Sequence, residues 1–246
     1  KAPYFDGICG SYQLYFKMYL KHKNTAEAQL FGNCVLHFAD LMQENIKEGE
    51  ALLKKINQID ENLSSHAFPV ARKVMANLTQ GYLKKDQQQI ETWTKIAFQW
   101  HNKIKPANKR ESYFPFYPFV VADAFNLIGD YEMALKMIEI GELDYMRFKD
   151  IPFNNGFYES LDIIKAIALY GTGKKDHAKR MFARIDEANL SFLTRKYFII
   201  QKKIIELALC SQTTSKKFVN IKTEVNDLIK ATGFVFFKQI LKRFSL

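Results

Sequence analysis

Apolar side chains recur every three to four residues along most of the chain, which is the period of an amphipathic helix. In Ser11–Lys23, for example, Leu14, Tyr15, Met18 and Tyr19 have this spacing. The same pattern predicts helices over residues 25–44, 46–59, 67–83, 87–103, 191–209, 216–230 and 234–244. Helical hairpins are predicted around residues 129 and 173, and the chain is therefore expected to be all-α.

Two glycines mark a repeated break in this pattern. Gly129 and Gly173 each end an apolar run, precede one or two polar residues and lie 44 residues apart. A glycine can take the left-handed conformation that closes a helix. Ala134 and Ala178 follow five residues later, and a side chain this small lets two antiparallel helices approach closely. The spacing predicts two helical hairpins of the same design.

A third, degenerate copy lies 44 residues upstream of the first glycine, with Lys85 in the glycine position and Ile90 in the alanine position. Large residues one turn beyond the alanines, Ile138 and Phe182, would fill the space between helices. A hairpin recurring at such a period is typical of a solenoid, in which each unit buries its apolar face against the next. Residues 1–64 do not keep the register and are interpreted as a cap or a divergent unit.

The string Gly129–Leu135 (GDYEMAL) resembles the turn and second helix of a tetratricopeptide repeat. The resemblance covers residues 65–188 and implies an α–α superhelix of stacked antiparallel hairpins. It implies small residues at Ala122 and Ala166, followed by large ones at Phe125 and Leu169. A second small position falls at Gly141, but Ile185 occupies the corresponding place in the next unit. The chain departs from that family in lacking the terminal proline. Its period also exceeds the family's usual value of about 34 and overlaps helical repeats of about 40–47 residues.

The resemblance also implies a concave surface built from the first helix of each hairpin. Its groove-facing positions would be Arg72, Met75, Thr79, Tyr82, Phe116, Phe119, Asp123, Asn126, Ser160, Ile163, Ile167 and Tyr170. Aromatic and hydrogen-bonding side chains mixed in this way suit a peptide or helix laid in a groove. The alternative is that Met75, Phe119, Ile163 and Ile167 are core residues between helices. A basic clamp for a peptide carboxylate is not evident.

The domain organisation follows from the repeats. Residues 1–246 are expected to form one helical-repeat domain, with three repeat-like hairpins over 65–188 and C-terminal helices over 189–246 that cap the stack. The polar stretches 105–112 and 146–156 are interpreted as inter-repeat loops, because the periodicity continues across them. Since the sequence starts at Lys1 without methionine, we expect it to be a piece of a longer protein.

Composition narrows the class of protein. The chain has 21 Phe and 12 Tyr, which predict an aromatic-rich core, while 6 Pro and 11 Gly argue against an all-β fold with many tight turns. No run approaches the roughly 18–20 apolar residues of a membrane helix. Cys9, Cys34 and Cys210 suggest neither a disulfide framework nor a metal site, so a reducing, cytoplasmic compartment is expected.

The net charge of +10 is concentrated near the C-terminus, where residues 201–246 carry nine basic and three acidic side chains. The candidate basic patch consists of Lys216, Lys217, Lys222, Lys230, Lys238, Lys242 and Arg243. It could attract nucleic acid, an acidic protein or a membrane surface, or be a solvated outer face. The nucleic-acid hypothesis predicts binding that weakens steeply with salt.

Motifs for catalysis are not found. The segment 171–174 (GTGK) superficially resembles a phosphate loop, but Ala168 replaces the first glycine and Lys175 the metal-binding hydroxyl. His37, within an apolar face, is the only histidine that invites inspection. No cofactor or metal is expected. The sequence therefore predicts a non-enzymatic module that binds a protein or peptide, with the sensory or scaffolding half of a bacterial regulator as one such role. A nucleic-acid-binding solenoid is the alternative.

Overall fold

The computed structural model describes residues 7–59, 67–103, 116–147, 156–190, 195–210, 215–244 and 246, and all regular elements within these ranges are helical. The helices are α1 (Gly7–His22), α2 (Ala26–Met42), α3 (Ile46–Gln58), α4 (Ala67–Lys84), α5 (Gln87–Lys103), α6 (Phe116–Ile128), α7 (Tyr131–Arg147), α8 (Gly156–Gly171), α9 (Lys175–Phe182), α10 (Arg195–Ala208), α11 (Lys216–Thr232) and α12 (Phe237–Arg243). A 3-10 turn, Glu187–Asn189, lies between α9 and α10.

Eight of these helices form four consecutive hairpins, α2/α3, α4/α5, α6/α7 and α8/α9. The first helices of the hairpins pack on one another in sequence, α2 on α4, α4 on α6 and α6 on α8. The second helices also contact the following hairpin, as α3 contacts α4 and α7 contacts α8. We call α2, α4, α6 and α8 the inner helices. The all-α, solenoid-like fold predicted from the sequence is thus confirmed.

All four hairpins turn through a residue with positive φ. These residues are Glu44, Lys85, Gly129 and Gly173, with φ of 60°, 57°, 89° and 82°. At each turn the next backbone N–H donates to the carbonyl five residues earlier, at distances of 2.9, 2.8, 2.9 and 2.8 Å. This bond is the one that closes a Schellman-type helix end. The three breaks predicted from the sequence therefore share one turn geometry.

The hairpin at Glu44 does not keep the 44-residue spacing, so of the two alternatives given for residues 1–64, a divergent unit describes α2 and α3. Its turn residue lies 41 positions before Lys85, and Gly49 stands five residues further on, in the alanine position. Gly49 is buried, and a Cβ added there would lie 2.8 Å from Gln80 Oε1. Because glutamate rarely adopts a left-handed conformation and the spacing is three residues short, the sequence pattern concealed this unit.

The small residues lie between helices as predicted. Ala134 and Ala178 are fully buried, with 0% of their surface exposed. Ile138, one turn beyond Ala134, is also buried, while Phe182 is half-buried and packs against the same core. Cavity-free contact between α6 and α7, and between α8 and α9, therefore depends on a small side chain followed by a large one.

The two turn glycines give a matched prediction about stability. Alanine at Gly173 would meet no other atom within 4 Å, so Gly173→Ala should cost only backbone strain, about 1 kcal/mol. Alanine at Gly129 would have the same strain and would also meet Arg243 Nη1 at 2.9 Å. We expect Gly129→Ala to lower the free energy of unfolding by about 1–2 kcal/mol more, measured by urea denaturation. Equal losses in the two variants would show that Arg243 does not approach this turn.

Three helices follow the hairpins. α10 packs on α8, and α11 packs on α10 and returns to α1. α12 begins at Phe237 rather than at the predicted residue 234, because Gly233 ends α11 in the left-handed conformation and the chain turns through residues 234–236. Of the predicted loops, residues 105–112 and 148–155 lie outside the described ranges.

None of the helices in the described ranges has an apolar stretch long enough to cross a membrane. α1, α2 and α4 to α8 are 13–18 residues long and carry polar or charged side chains along their length. α2 and α4 to α8 use their apolar faces for packing in the stack, whereas Leu14, Tyr15 and Met18 of α1 are exposed.

Candidate functional site on the inner helices

The predicted groove residues lie on the inner helices α4, α6 and α8, and most of them are buried. The buried ones are Met75, Thr79, Phe119, Asp123, Asn126, Ser160, Ile163 and Ile167. Arg72, Tyr82 and Tyr170 are half-buried, and the side chain of Phe116 lies outside the described part of the structure. The expectation of an open groove is therefore corrected. The alternative of core packing describes Met75, Phe119, Ile163 and Ile167, and α10 and the C-terminal segment cover much of this face.

We call residues 233–244 the C-terminal strap. The strap passes the C-terminal ends of the inner helices one after another. At the first hairpin, Phe236 N–H donates to Met42 O at 2.9 Å, and Gln239 Nε2 donates to Glu44 Oε1 at 2.8 Å. The predicted role of this segment was to cover the open end of the stack. The structure instead places it across the hairpins, because its hydrogen-bond partners belong to the ends of successive inner helices.

Arg243 is the main polar anchor of the strap. Its Nη2 donates to Tyr82 Oη at 2.9 Å and to Leu127 O at 2.8 Å, and its Nη1 donates to Asn126 O at 3.2 Å. A weaker contact joins Nη1 to Tyr131 Oη at 3.4 Å. The two carbonyls belong to the last turn of α6, where a cation is favoured by the helix dipole. Arg243 thus links the second and third hairpins and closes the end of α6.

Aromatic residues complete the strap. The side chains of Phe234, Phe236 and Phe237 are at most 2% exposed. The ring of Phe244 meets Tyr170 edge-on, with centroids 5.2 Å apart. Together with the anchors described above, this contact means that the strap reaches all four hairpins. Full burial of three phenylalanines stabilises its position by about 5–9 kcal/mol.

Arg243 must be removed from the candidate basic patch, since its guanidinium points into the inner face. The lysines of the patch, at 216, 217, 222, 230, 238 and 242, are exposed. On α11, Lys216 and Lys230 lie about 40° apart around the helix axis and Lys222 lies about 80° from Lys230, given about 100° per residue. Lys217 Nζ lies 3.6 Å from Glu206 Oε1. Three of the exposed lysines of α11 therefore share one side of the helix, and the nucleic-acid hypothesis stays a prediction.

A buried polar cluster joins α6 to α10. Asp123 Oδ2 accepts a hydrogen bond from Tyr197 Oη at 2.8 Å, and Oδ1 accepts one from Gln201 Nε2 at 3.0 Å. Burial raises the pKa of Asp123, while the bonds from Gln201 and Tyr197 and the charge of Arg72 act in the opposite direction. The guanidinium of Arg72 also lies over the ring of Phe38, 5.8 Å from its centroid. The cluster holds α10 against the inner helices and uses two predicted groove positions, Arg72 and Asp123, for internal contacts.

His37, the histidine singled out in the sequence, is also an internal residue. Its Nε2 lies 3.1 Å from Gln80 Oε1, which links α2 to α4. Burial lowers the pKa of His37 to about 4, although the hydrogen bond to Gln80 acts in the opposite direction. The imidazole is therefore neutral at neutral pH and has a structural role.

A cavity of about 10 Å³ lies beneath the strap, between α6, α8, α10 and α12. It is lined mostly by apolar side chains, together with the amides of Asn126 and Gln201. Its volume suits one water-sized group. No group of three or more His, Cys, Asp or Glu side chains suited to a metal occurs in the part of the chain that the structure describes.

Sequence reasoning brought some of these residues together and missed others. Tyr82, Asn126 and Tyr170 were predicted to share a surface, and all three contact the strap or the residues beside it. The roles of Tyr131 and Arg243 were missed. The only signal for the strap was its apolar spacing, which indicates a buried face without indicating its partner.

Comparison of the chain with protein-family models, curated proteins and solved structures finds no match. The resemblance to tetratricopeptide repeats is therefore carried by the turn residues and the small positions alone. Any function has to be argued from the contacts of the inner face.

Proposed function

We propose that the chain is a non-enzymatic helical-repeat module that binds an amphipathic helix of a protein partner across the ends of its inner helices. The observation that carries the proposal is the strap, an amphipathic helical segment that contacts all four hairpins on this surface. In this proposal the strap occupies the partner's place when no partner is bound.

The side chains of the strap indicate which side chains a partner helix would need. The strap presents Phe237, Ile240, Leu241 and Phe244, which have the i, i+3, i+4 and i+7 spacing of a helix bound in a groove. Arg243 adds a guanidinium that caps the carbonyls of α6. A partner helix would therefore carry apolar or aromatic anchors on one face and a basic residue near its end.

Competition with the strap sets a requirement on the partner. A segment tethered by a short connection has an effective concentration in the millimolar range. A free helix that makes the same contacts would therefore not displace the strap at micromolar concentration. The partner has to make additional contacts, or the anchoring of the strap has to be weakened.

The experiment weakens the anchor in the chain of residues 1–246. A fluorescent peptide with the sequence of residues 233–246 is titrated into wild type, Arg243→Ala and Lys242→Ala. We expect Arg243→Ala to bind the peptide at least about tenfold more tightly than wild type, because its own strap competes less well. Lys242→Ala removes the same charge from an exposed neighbour and should behave as wild type.

Hydrogen exchange of residues 233–244 accompanies the titration and reports whether the strap opens more often in Arg243→Ala. If the strap opens more often and the peptide still does not bind, the inner face is not a helix-binding surface. A scrambled peptide that binds equally well would also contradict the proposal.

The proposed surface also bears on the wider role of the chain. A module of this kind could be the sensory or scaffolding half of a bacterial regulator, an assignment that rests on fold analogy. The alternative, nucleic-acid binding through the exposed lysines, would instead show retention of DNA or RNA that falls steeply between about 50 and 200 mM salt. The two proposals are separated because Arg243→Ala should not strengthen a salt-dependent interaction.

A further inference from the structure

Two buried acceptor atoms lie beneath the strap without a hydrogen-bond partner. They are Asn126 Oδ1 and Gln201 Oε1, and both side chains are 3% exposed. An unpaired buried acceptor loses its bond to water and gains none in return, so native proteins rarely keep two of them together.

The orientation of both amides is determined by their other ends. Asn126 Nδ2 donates to Ile164 O at 2.8 Å, and Gln201 Nε2 donates to Asp123 Oδ1 at 3.0 Å. Flipping either amide would place an oxygen against an acceptor. The two oxygens are therefore the groups left to find a donor.

Both side chains line the cavity of about 10 Å³, and the opposite wall includes Phe237 and Ile240 of the strap. This volume accommodates about one water-sized group. The strap covers the two acceptors with apolar side chains, so it leaves their hydrogen-bonding capacity unused.

We infer that this cavity is a site for one hydrogen-bond donor, which bridges Asn126 Oδ1 and Gln201 Oε1. In the free chain the donor is a water molecule. In the complex, an inference that rests on the proposed function, the donor is a polar side chain that the partner helix carries in the place of Ile240. Such a side chain gives the partner an interaction that the strap does not make, which is what displacement of a tethered segment requires.

The strap itself provides the test in the chain of residues 1–246. Threonine and valine have nearly the same shape and differ by a hydroxyl group. At a buried apolar position, threonine raises the equilibrium constant of unfolding about tenfold relative to valine. At position 240 we expect Ile240→Thr and Ile240→Val to differ by less than about twofold, because the hydroxyl can donate to the amide oxygens or to the bridging water.

Ile229 of α11 is the matched control, since it is also a buried helical isoleucine and does not line this cavity. A threonine hydroxyl in a helix can donate to a carbonyl of that helix. Because this contribution is present at position 229 as well, the comparison of the two positions cancels it. A threonine-to-valine ratio at position 240 as large as at position 229 would overturn the donor site. Urea denaturation measures all four variants.

Two further measurements separate the sources of the donor. A high-resolution crystal structure of residues 1–246 should show a water within hydrogen-bond distance of both oxygens. A peptide of residues 233–246 with threonine at position 240 should bind Arg243→Ala more tightly than the valine peptide. Weaker binding of the threonine peptide would overturn the partner's part of the inference. Binding of neither peptide would count against the proposed function, while the stability ratio would still decide the donor site.

Discussion

Replacing Arg243 by alanine should lower the free energy of unfolding by about 2–4 kcal/mol. The substitution removes hydrogen bonds from a charged donor to Tyr82 Oη, Asn126 O and Leu127 O. Bonds of this kind contribute about 1.5–3 kcal/mol each at most, and the helix-end charge adds less than about 1 kcal/mol. The sum is reduced because water can reach a half-buried site. Urea denaturation with a constant m-value measures the loss.

Lys242→Ala is the control for Arg243→Ala, because it removes the same charge from the adjacent, exposed residue. It should change the free energy of unfolding by less than about 0.5 kcal/mol. Similar effects of the two substitutions would mean that net charge near the C-terminus matters and that the contacts of the guanidinium do not.

Acidification from pH 6.5 to pH 4 should cost about 3 kcal/mol of stability through His37 alone. The pKa of the folded imidazole is about 4, against an ordinary value of 6.5. Between these values the unfolded chain binds the proton and the folded chain does not. The stabilisation is therefore complete above pH 6.5 and is lost as the pH falls towards 4.

His37→Leu should remove this part of the pH dependence, although it also leaves Gln80 Oε1 without its partner and lowers stability at neutral pH. His177→Leu, which removes an exposed imidazole, should keep the loss. Asp123 acts in the opposite direction, because burial raises its pKa and protonation then favours the folded chain. Urea denaturation at pH 7.5, 5.5 and 4.5 separates the contributions, and an unchanged loss in His37→Leu would contradict the assignment.

Because of the strap and the polar cluster, much of the inner face is covered by the chain itself. In the usual picture of a helical repeat, the concave face is open and waits for a ligand. Here the chain supplies its own occupant, and the residues that a ligand would contact already have partners in α10 and the strap. A functional partner is therefore expected to replace the strap on this face. The two amide oxygens beneath the strap indicate where the partner could form hydrogen bonds that the strap does not form.

The sequence by itself determined the local structure. Helix positions follow from apolar spacing, and predicted boundaries such as 87–103 agree with α5. Gly129 and Gly173 identified two turns, because a left-handed residue is a local requirement that glycine meets at the lowest cost. Ala134 and Ala178 identified the close contacts between helices, because only a small side chain allows the backbones to approach.

Tertiary structure decided what each buried face packs against. Arg243 and Asn126 are 117 positions apart, and Tyr197 and Asp123 are 74 positions apart, so no local pattern could pair them. An amphipathic spacing shows that a helix has a buried side. It does not show which element packs there, because the same spacing suits any apolar partner. The first hairpin was predicted only as two helices, because glutamate rarely adopts the left-handed conformation that Glu44 has, and the bond from Gln239 to Glu44 is supplied by the fold. Whether the inner helices face solvent or the chain's own C-terminus is thus a property of the assembled stack.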